Sequence, residues 1–201
     1  MLQQIGLAAA LAFLAPPAGI AGADVLPGEA GVLVPGELLF KGAETGGGTR
    51  LAADWSLGDR RWGHIGIVVA GPDGALQVIH ADTGGPGEGG EVRRVSLAKF
   101  LSDVKDLGVY DVDLQGAARS AYLAYAEQAV GKPFDHAFSL TSEDRLYCSE
   151  LIWRALSAGL DEDAVPEKSK RLGRTYVSVS DISGNAHAQE LRTVHTDGGS
   201  H

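Results

Sequence analysis

The chain contains one cysteine, and the residues after it predict a helix that begins there. Cys148 precedes an apolar stripe at helical spacing, which predicts a helix over residues 149–158 with Gly159 as its end. The thiol then lies at a helix N-terminus, where unpaired backbone N–H groups favour the thiolate and lower the thiol pKa. A thiolate is a nucleophile, whereas a lone cysteine without further chemistry nearby is more often a small buried apolar side chain.

Two histidines stand on a predicted β-hairpin upstream of the cysteine. His64 leads a β-branched run at residues 63–70, and His80 lies near the end of a second run at 75–81, with a Gly-Pro-Asp-Gly turn between them. Antiparallel pairing of the two runs makes the imidazoles neighbours across the ladder. One ring could then act as a base and the other orient it, although each histidine alone is more often a surface or satisfied core residue.

The remaining segments must supply the elements that position these side chains. Residues 41–62 are polar, glycine-rich and aperiodic, which predicts a long loop; its Trp55 and Trp62 would either line a substrate groove or fix the loop to the core. Apolar runs and period-two alternation predict strands at 32–40, 91–95, 108–114 and 175–179. Helical patterns lie at 96–101 and 115–130, and residues 196–201 are predicted to be frayed.

The N-terminal residues predict export of the protein. The first 23 residues carry no charged side chain and include an apolar run that two prolines end. Small residues at 21–23 offer a cleavage site, so we predict an export signal at 1–23 and a single domain at 24–201, periplasmic or secreted. An uncleaved membrane anchor is disfavoured, because the run is shorter than the ~20 residues that span a bilayer. The net charge of −9 disfavours nucleic acid and anionic membrane surfaces as partners.

Four segments in this order resemble the permuted papain-like cysteine amidases, the YiiX-like branch of the NlpC superfamily, which is related to the lecithin:retinol acyltransferase group. The segments are Gly-Glu-Leu-Leu-Phe at 36–40, His-Ile-Gly-Ile-Val at 64–68, Gly-Lys-Pro-Phe-Asp at 131–135 and Tyr-Cys-Ser-Glu-Leu at 147–151. The resemblance implies an α+β fold, a single papain-like domain in which antiparallel strands carrying His precede the helix carrying Cys.

The resemblance also implies a role for each of the candidate side chains. Cys148 would be the nucleophile, His64 the general base, and His80 the group that orients His64, at a position where the YiiX-like branch usually has Glu. The backbone N–H of Cys148 is the natural first donor to an oxyanion, and Glu150 is predicted to be structural or substrate-facing. The resemblance implies no cofactor.

These roles predict an exported cysteine hydrolase that cleaves amide bonds in peptides or peptidoglycan fragments. One alternative is a lipid acyl hydrolase or acyltransferase of the same fold, which predicts an apolar groove beside Cys148. A second is a catalytically silent module that binds peptides. A third is a Zn²⁺ site made of His64, His80 and Cys148, whose ligand types would suit a catalytic zinc ion.

Overall fold

The computed structural model describes residues 28, 30–43, 48–85 and 88–195. The predicted export signal and the predicted frayed tail lie outside these residues. The helices and strands, in chain order, are β1 (Leu38–Gly42), α1 (Gly48–Trp55), β2 (Trp62–Ala70), β3 (Leu76–Asp82), β4 (Glu91–Ser96), α2 (Leu97–Leu101), β5 (Asp106–Val112), α3 (Gly116–Ala129), α4 (Cys148–Leu160), β6 (Ser169–Arg171), β7 (Arg174–Tyr176), α5 (Val179–Ser183) and β8 (Ala188–His195). Within the described part of the chain, no helix has both the length and the apolar character needed to cross a membrane.

Six strands form one antiparallel sheet in the order β4-β3-β2-β1-β5-β8, and β6 and β7 form a separate two-stranded sheet. The predicted hairpin is β2 and β3, which pair from the turn as far as Ile67 opposite Ile79. In the described chain their pairing ends there, so His64 and His80 lie at the open end of the hairpin. The predicted α+β architecture is confirmed, because strands that carry the histidines precede the helix that carries the cysteine.

Alternation of side chains along the strands gives the sheet two buried faces. On one face Ile65 of β2 packs in a core with α3 and α4, and this core includes Cys148. On the other face Val68 packs in a second core with Phe100 of α2. His64 lies on this second face, because it alternates with Ile65 and its ring centroid is 5.9 Å from that of Phe100.

Helix α4 does not end at Gly159, as the sequence predicted, but continues to Leu160 and is followed by Asp161 in the left-handed conformation (φ 56°). Gly159 instead allows α4 to approach α3 closely. A Cβ atom at this position would lie 2.8 Å from Cδ1 of Leu114 and 2.9 Å from the backbone oxygen of Ala118. The glycine therefore serves helix packing rather than helix termination.

Two boundaries near the start of the domain also differ from the prediction. The predicted strand at 32–40 begins only at Leu38, because a turn precedes it in which Gly36 has a φ of +100°. The predicted loop at 41–62 contains the helix α1. Most other predicted elements, at 91–101, 108–114, 115–130 and 149–158, agree with the structure to within two residues at each boundary.

The C-terminal part of the domain was predicted least well. The predicted strand at 175–179 ends at Tyr176, because Ser178 and Asp181 form a capping box that starts α5. The sequence analysis did not identify β8, which pairs with β5 at the edge of the large sheet.

Candidate active site

Cys148 is the first residue of α4, and its thiol lies against β2. The backbone N–H of Val68 donates to the oxygen of Glu37, on the β1 side, at 2.8 Å. Because N–H directions alternate along a strand, the N–H of Ile65 points toward β3, where pairing has ended. The sulfur lies within hydrogen-bonding reach of this N–H and of the N–H groups of Cys148 and Ser149. The thiol therefore lies against the part of β2 that β3 no longer pairs with.

Burial has the largest effect on the pKa of this thiol and raises it. Cys148 is 7 % exposed, and burial raises its pKa to about 11, although the N–H groups of Ser149, Cys148 and Ile65 act in the opposite direction. The sequence-based expectation of a lowered thiol pKa is therefore wrong, because β2 covers the start of α4 and keeps water from a thiolate. At neutral pH the resting thiol is protonated.

The two histidines contact each other directly at the open end of the hairpin. His64 Nε2 and His80 Nδ1 are 2.9 Å apart, and the two rings are nearly perpendicular, with an interplanar angle of 85°. The expected contact between the imidazoles is present. Since His80 engages Nε2 of His64, the nitrogen of His64 that stays available to another group is Nδ1.

Phe100 of α2 supports both rings from the second face of the sheet. Its ring centroid lies 5.9 Å from that of His64 and 5.2 Å from that of His80. Gly66, two residues after His64 on β2, leaves the space for this packing, because a Cβ there would lie 2.5 Å from the Val78 side chain and 3.1 Å from the Phe100 ring. The His-Ile-Gly segment therefore combines a functional candidate with the glycine that makes room for its support.

Burial keeps both imidazoles neutral at neutral pH. It lowers the pKa of His64 well below the usual value, and the nearby His80 and Lys41 lower it further. Burial also lowers the pKa of His80 to about 4, although the carboxylate of Asp82 opposes this shift. A neutral imidazole has the lone pair that a general base needs.

The structure brings the thiol to the strand that carries His64, but it places the imidazole on the opposite face of that strand. Within the described residues, no hydrogen bond joins Cys148 to either imidazole; the thiol instead contacts the N–H of Ile65, the next residue along the chain. Catalytic hydrogen bonds are often long before substrate binds. Proton transfer requires one of the two side chains to turn toward the other, and the three catalytic roles stay a prediction.

The acidity of the thiol gives a direct prediction for its alkylation. We expect the rate of Cys148 alkylation by iodoacetamide to rise about tenfold per pH unit between about pH 7 and pH 10, because the thiolate fraction grows in this way below a pKa of about 11. Mass spectrometry of quenched samples measures the rate. The same protein unfolded in urea is the control, and its rate should level off above the free-thiol pKa of ~8.5. An alkylation rate that levels off near neutral pH in the folded protein would contradict a protonated Cys148 thiol beside a neutral His64.

An apolar pocket of about 220 Å³ lies beside Cys148. Its walls come from α1, the segment before α4, the start of α4 and the segment after β6. The lining residues are Ala52, Trp55, Phe138, Tyr147, Cys148, Ser149, Arg174, Tyr176, Val177, Ser178 and Val179. A cavity of ~150 Å³ lined by apolar side chains holds a benzene ring, so this pocket fits a somewhat larger apolar group.

The two tryptophans of the predicted loop have different roles. Trp55 lines the apolar pocket and contacts Tyr176 edge to face, with ring centroids 5.4 Å apart. Trp62 is buried in the core, where its Nε1 donates to the hydroxyl of Tyr110 at 3.0 Å. Each of the two predicted possibilities therefore applies to one tryptophan.

The Gly-Lys-Pro-Phe-Asp segment contributes to the pocket through its last residue. Asp135 is 5 % exposed and accepts the backbone N–H groups of Ala137 and Ser139 at 2.9 and 2.6 Å. These bonds hold the turn that carries Phe138, which has a φ of 51° and lines the apolar pocket. The sequence analysis did not identify Phe138, because no local pattern links this turn to Cys148.

Glu150 is completely buried, so of its two predicted roles only the structural one fits. Its Oε1 accepts a hydrogen bond from Nε of Arg154 at 2.9 Å, and burial raises its pKa to about 7. Arg154 also donates to Glu143 and to the backbone oxygens of Leu140 and Ser142. The pair therefore ties the segment before α4 to the first turn of the helix.

A second, polar pocket of about 330 Å³ lies against the two histidines. It is on the sheet face that α2 covers, and Cys148 is not among its lining residues. The lining residues are Lys41, His64, His80, Asp82, Thr83, Arg93, Val95, Lys99, Phe100, Ser102 and Asp103. The candidate site therefore has an apolar side at the thiol and a charged side at the imidazoles.

The geometry bears on the alternative of a zinc site. No three His, Cys, Asp or Glu side chains in the described ranges are arranged to hold a metal ion. Zinc ligands lie ~2.0–2.3 Å from one shared ion. His64 and His80 instead form a direct hydrogen bond, with a nitrogen of each ring taking part. This arrangement fits one imidazole orienting the other.

Comparisons with known proteins agree with the fold. The family model described as permuted papain-like amidase enzyme, YaeF/YiiX, C92 family, matches residues 33–196. Among solved structures, the chain is similar to a crystal structure of the metalloprotein yiiX from Escherichia coli O157:H7, with a TM-score of 0.62 and 20 % identity over 80 % of this chain and 97 % of that one. This likeness concerns the fold, and no curated protein matches the chain. Because the family match spans the hairpin and the Cys148 helix, the chain belongs to the permuted papain-like amidase family YaeF/YiiX.

Proposed function

We propose that the protein is a cysteine hydrolase that cleaves amide bonds, with Cys148 as nucleophile, His64 as general base and His80 as the residue that positions His64. The observation that carries this proposal is that the start of the Cys148 helix lies against β2 at Ile65, the residue next to His64, and that His64 is hydrogen-bonded to His80 at the open end of the hairpin. Membership of an amidase family supports the class of reaction.

The hydrogen bond between the imidazoles is compatible with the tautomer that the reaction needs. When His64 donates its Nε2–H to Nδ1 of His80, Nδ1 of His64 carries the lone pair that can accept the thiol proton. The opposite arrangement would put a proton on that nitrogen. His80 therefore acts through His64 and does not touch the substrate.

In the reaction, His64 takes the proton of the Cys148 thiol while the sulfur attacks the carbonyl carbon of the amide, forming an S–C bond. Collapse of the tetrahedral intermediate breaks the C–N bond, and His64 gives its proton to the departing amine. Water then gives a proton to His64 and attacks the thioester. The S–C bond breaks, the acid leaves, and the thiol recovers its proton.

Backbone N–H groups at the start of α4 support the oxyanion of this intermediate. The N–H groups of Cys148 and Ser149 face the sulfur in the resting state. The N–H of Cys148 is the first donor to the oxyanion, a contact that contributes about 3 kcal/mol where it has been measured.

The apolar pocket favours a substrate with an apolar group on the acyl side of the scissile amide. The lipid acyl alternative predicts an apolar groove beside Cys148, and Trp55, Phe138 and Tyr176 form such a surface. Its volume of about 220 Å³ suits an aromatic ring or a short acyl chain rather than a long lipid chain. A cell-wall peptide would need an apolar residue at this position to use the pocket.

Export is part of the proposal. The uncharged N-terminal segment with its apolar run supports a periplasmic or secreted location, where peptides and peptidoglycan fragments are available as substrates.

Hydrolysis of three anilides tests the proposal. We expect the p-nitroanilide of phenylacetic acid, and to a lesser extent that of octanoic acid, to be cleaved about 10- to 100-fold faster than acetyl p-nitroanilide, measured as kcat/KM. Burial of an apolar group of this size contributes about 1.5–3 kcal/mol. Equal rates for the three compounds, or none above buffer, would contradict it.

Two variants show whether the apolar pocket is responsible for the preference. Phe138→Ala should reduce the ratio of the phenylacetyl to the acetyl rate several-fold, because it removes one wall of the pocket. Leu172→Ala is the matched control, since Leu172 is 84 % exposed and does not line this pocket.

A further inference from the structure

The polar pocket beside the histidines has no role in the proposed reaction as described so far. His64 lines this pocket, and the next residue along β2, Ile65, contacts the Cys148 thiol, so the two residues mark the boundary between the polar pocket and the thiol. A bound amide that crosses this boundary has its acyl carbon at the sulfur. Its nitrogen then lies toward His64, because His64 protonates the departing amine. The polar pocket is therefore on the leaving-group side.

The charged side chains of this pocket leave one net positive charge. Three cations, Lys41, Arg93 and Lys99, line it together with two carboxylates, Asp82 and Asp103. This local charge, which Glu91 offsets in part through its contact with Arg93 from outside the lining, stands in a chain with a net charge of −9. It matches a group with a single negative charge better than a doubly charged phosphate.

The lining cations differ in how fully their charges are paired. Lys41 forms an ion pair with Asp103 at 2.7 Å, and its ammonium lies 4.4 Å from the centroid of the Phe100 ring. Lys99 is exposed, and within the described residues its ammonium has no ion-pair partner. One cation is therefore available to a ligand without breaking an existing contact.

Arg93 is only loosely paired. Its guanidinium lies 3.5 Å from a carboxylate oxygen of Asp82 and 3.3 Å from one of Glu91. Its Nε is the atom nearest Glu91; it is buried and forms no well-aligned hydrogen bond in the described part of the chain. A planar guanidinium whose ion-pair contacts are this long has donors that match the two oxygens of a carboxylate.

We propose that Arg93 and Lys99 bind a carboxylate that the leaving amine carries, so that the substrate joins an apolar acyl group to the nitrogen of an amino acid or of a C-terminal peptide residue. The inference rests on the proposed amide hydrolysis. The C–N bond breaks, the proton from the thiol passes through His64 to the amine, and the free amino acid leaves on the side of the polar pocket. Water completes the hydrolysis of the thioester.

Binding to an inactive variant tests the carboxylate site without turnover. Titration calorimetry with Cys148→Ala compares N-phenylacetylglycine with N-phenylacetylglycinamide, which differ only in the carboxylate. We expect the carboxylate compound to bind about 10- to 100-fold more tightly, because charge-assisted hydrogen bonds to Arg93 and Lys99 are lost in the amide.

Charge variants in the Cys148→Ala background show which side chains are responsible for the preference for the carboxylate compound. Arg93→Gln and Lys99→Gln should each reduce the preference for the carboxylate at least several-fold. Arg94→Gln is the matched control: it removes the same charge from the same strand, but Arg94 pairs with Glu127 and Gln77 and does not line the polar pocket. The Arg94→Gln variant should prefer the carboxylate compound to the same extent as Cys148→Ala alone.

The possible failures are distinct. Equal affinity for the two compounds, or a preference that survives both Arg93→Gln and Lys99→Gln, overturns the carboxylate site. Cleavage of phenylacetyl p-nitroanilide, which carries no carboxylate, then still supports the proposed hydrolase. If neither glycine compound binds, the carboxylate site is overturned as well, and absence of anilide cleavage in addition overturns the hydrolase.

Discussion

Replacement of Cys148 by alanine should lower kcat/KM for the best amide substrate by about 10⁴-fold or more, because no other described side chain beside the apolar pocket offers a thiol to form the acyl-enzyme. The measurement is the initial rate of anilide hydrolysis. Intact mass spectrometry with a slowly deacylating ester should in parallel show one acyl group on the parent protein and none on the variant.

The control for this variant concerns the fold. Cys148 is part of the buried core, so Cys148→Ala must show the circular dichroism and the unfolding midpoint of a folded protein. Cys148→Ser, which keeps nearly the same volume, provides a second inactive form. Activity of both variants within about tenfold of the parent would assign catalysis to another group.

Replacement of His64 by alanine should lower kcat/KM by about 10²- to 10⁴-fold, the usual contribution of a general base. His80→Ala should have a smaller effect, because His80 acts only through its 2.9 Å bond to His64. The distinguishing measurement is the pH dependence of kcat/KM. His80→Glu should restore much of the rate, since a carboxylate can also accept the Nε2–H of His64, and should shift the acidic limb upward by stabilising the imidazolium.

His195→Ala is the matched control for the two histidine variants. His195 is exposed on β8 and pairs with Asp106 at 2.6 Å, away from both pockets. Its activity should equal that of the parent. A larger loss for His80→Ala than for His64→Ala would reverse the two assigned roles.

The parts of the site that could be predicted from the sequence are those that local chemistry determines. The turn at 71–74 and the β-branched runs beside it fix the hairpin, and one hairpin fixes the nearness of His64 and His80. The helical period after Cys148 likewise predicts α4. In each case the residues that decide the structure are near neighbours in the chain.

The parts that could not be predicted depend on segments that are distant in the chain. The apolar pocket joins Trp55, Phe138 and Tyr176, and no local pattern connects them. The sign of the thiol pKa shift was missed because the helix N-terminus is visible in the sequence, whereas its cover by β2 is not. From the sequence alone, Gly159 predicts the end of a helix, because its role in the close packing of α4 against α3 depends on residues distant in the chain.

The strand β8 escaped prediction for a related reason. It is an edge strand whose outer residues are exposed, so its alternation of apolar and polar residues is weak. Its partner, β5, lies 76 to 89 residues earlier, as the pairings of Val112 with Ala188 and of Asp106 with His195 show. Pairing over such a separation leaves little trace in either segment alone.

The protonated resting thiol has a consequence for the chemical durability of the protein. Peroxides and disulfides react with thiolates, and a protein that is exported, as we propose for this one, meets oxidants without the reducing systems of the cytosol. Cys148 is the only cysteine of the chain, so no second thiol could rescue a sulfenic acid by forming an internal disulfide. A nucleophile that stays protonated and shielded until a substrate arrives is therefore protected from irreversible oxidation between catalytic cycles.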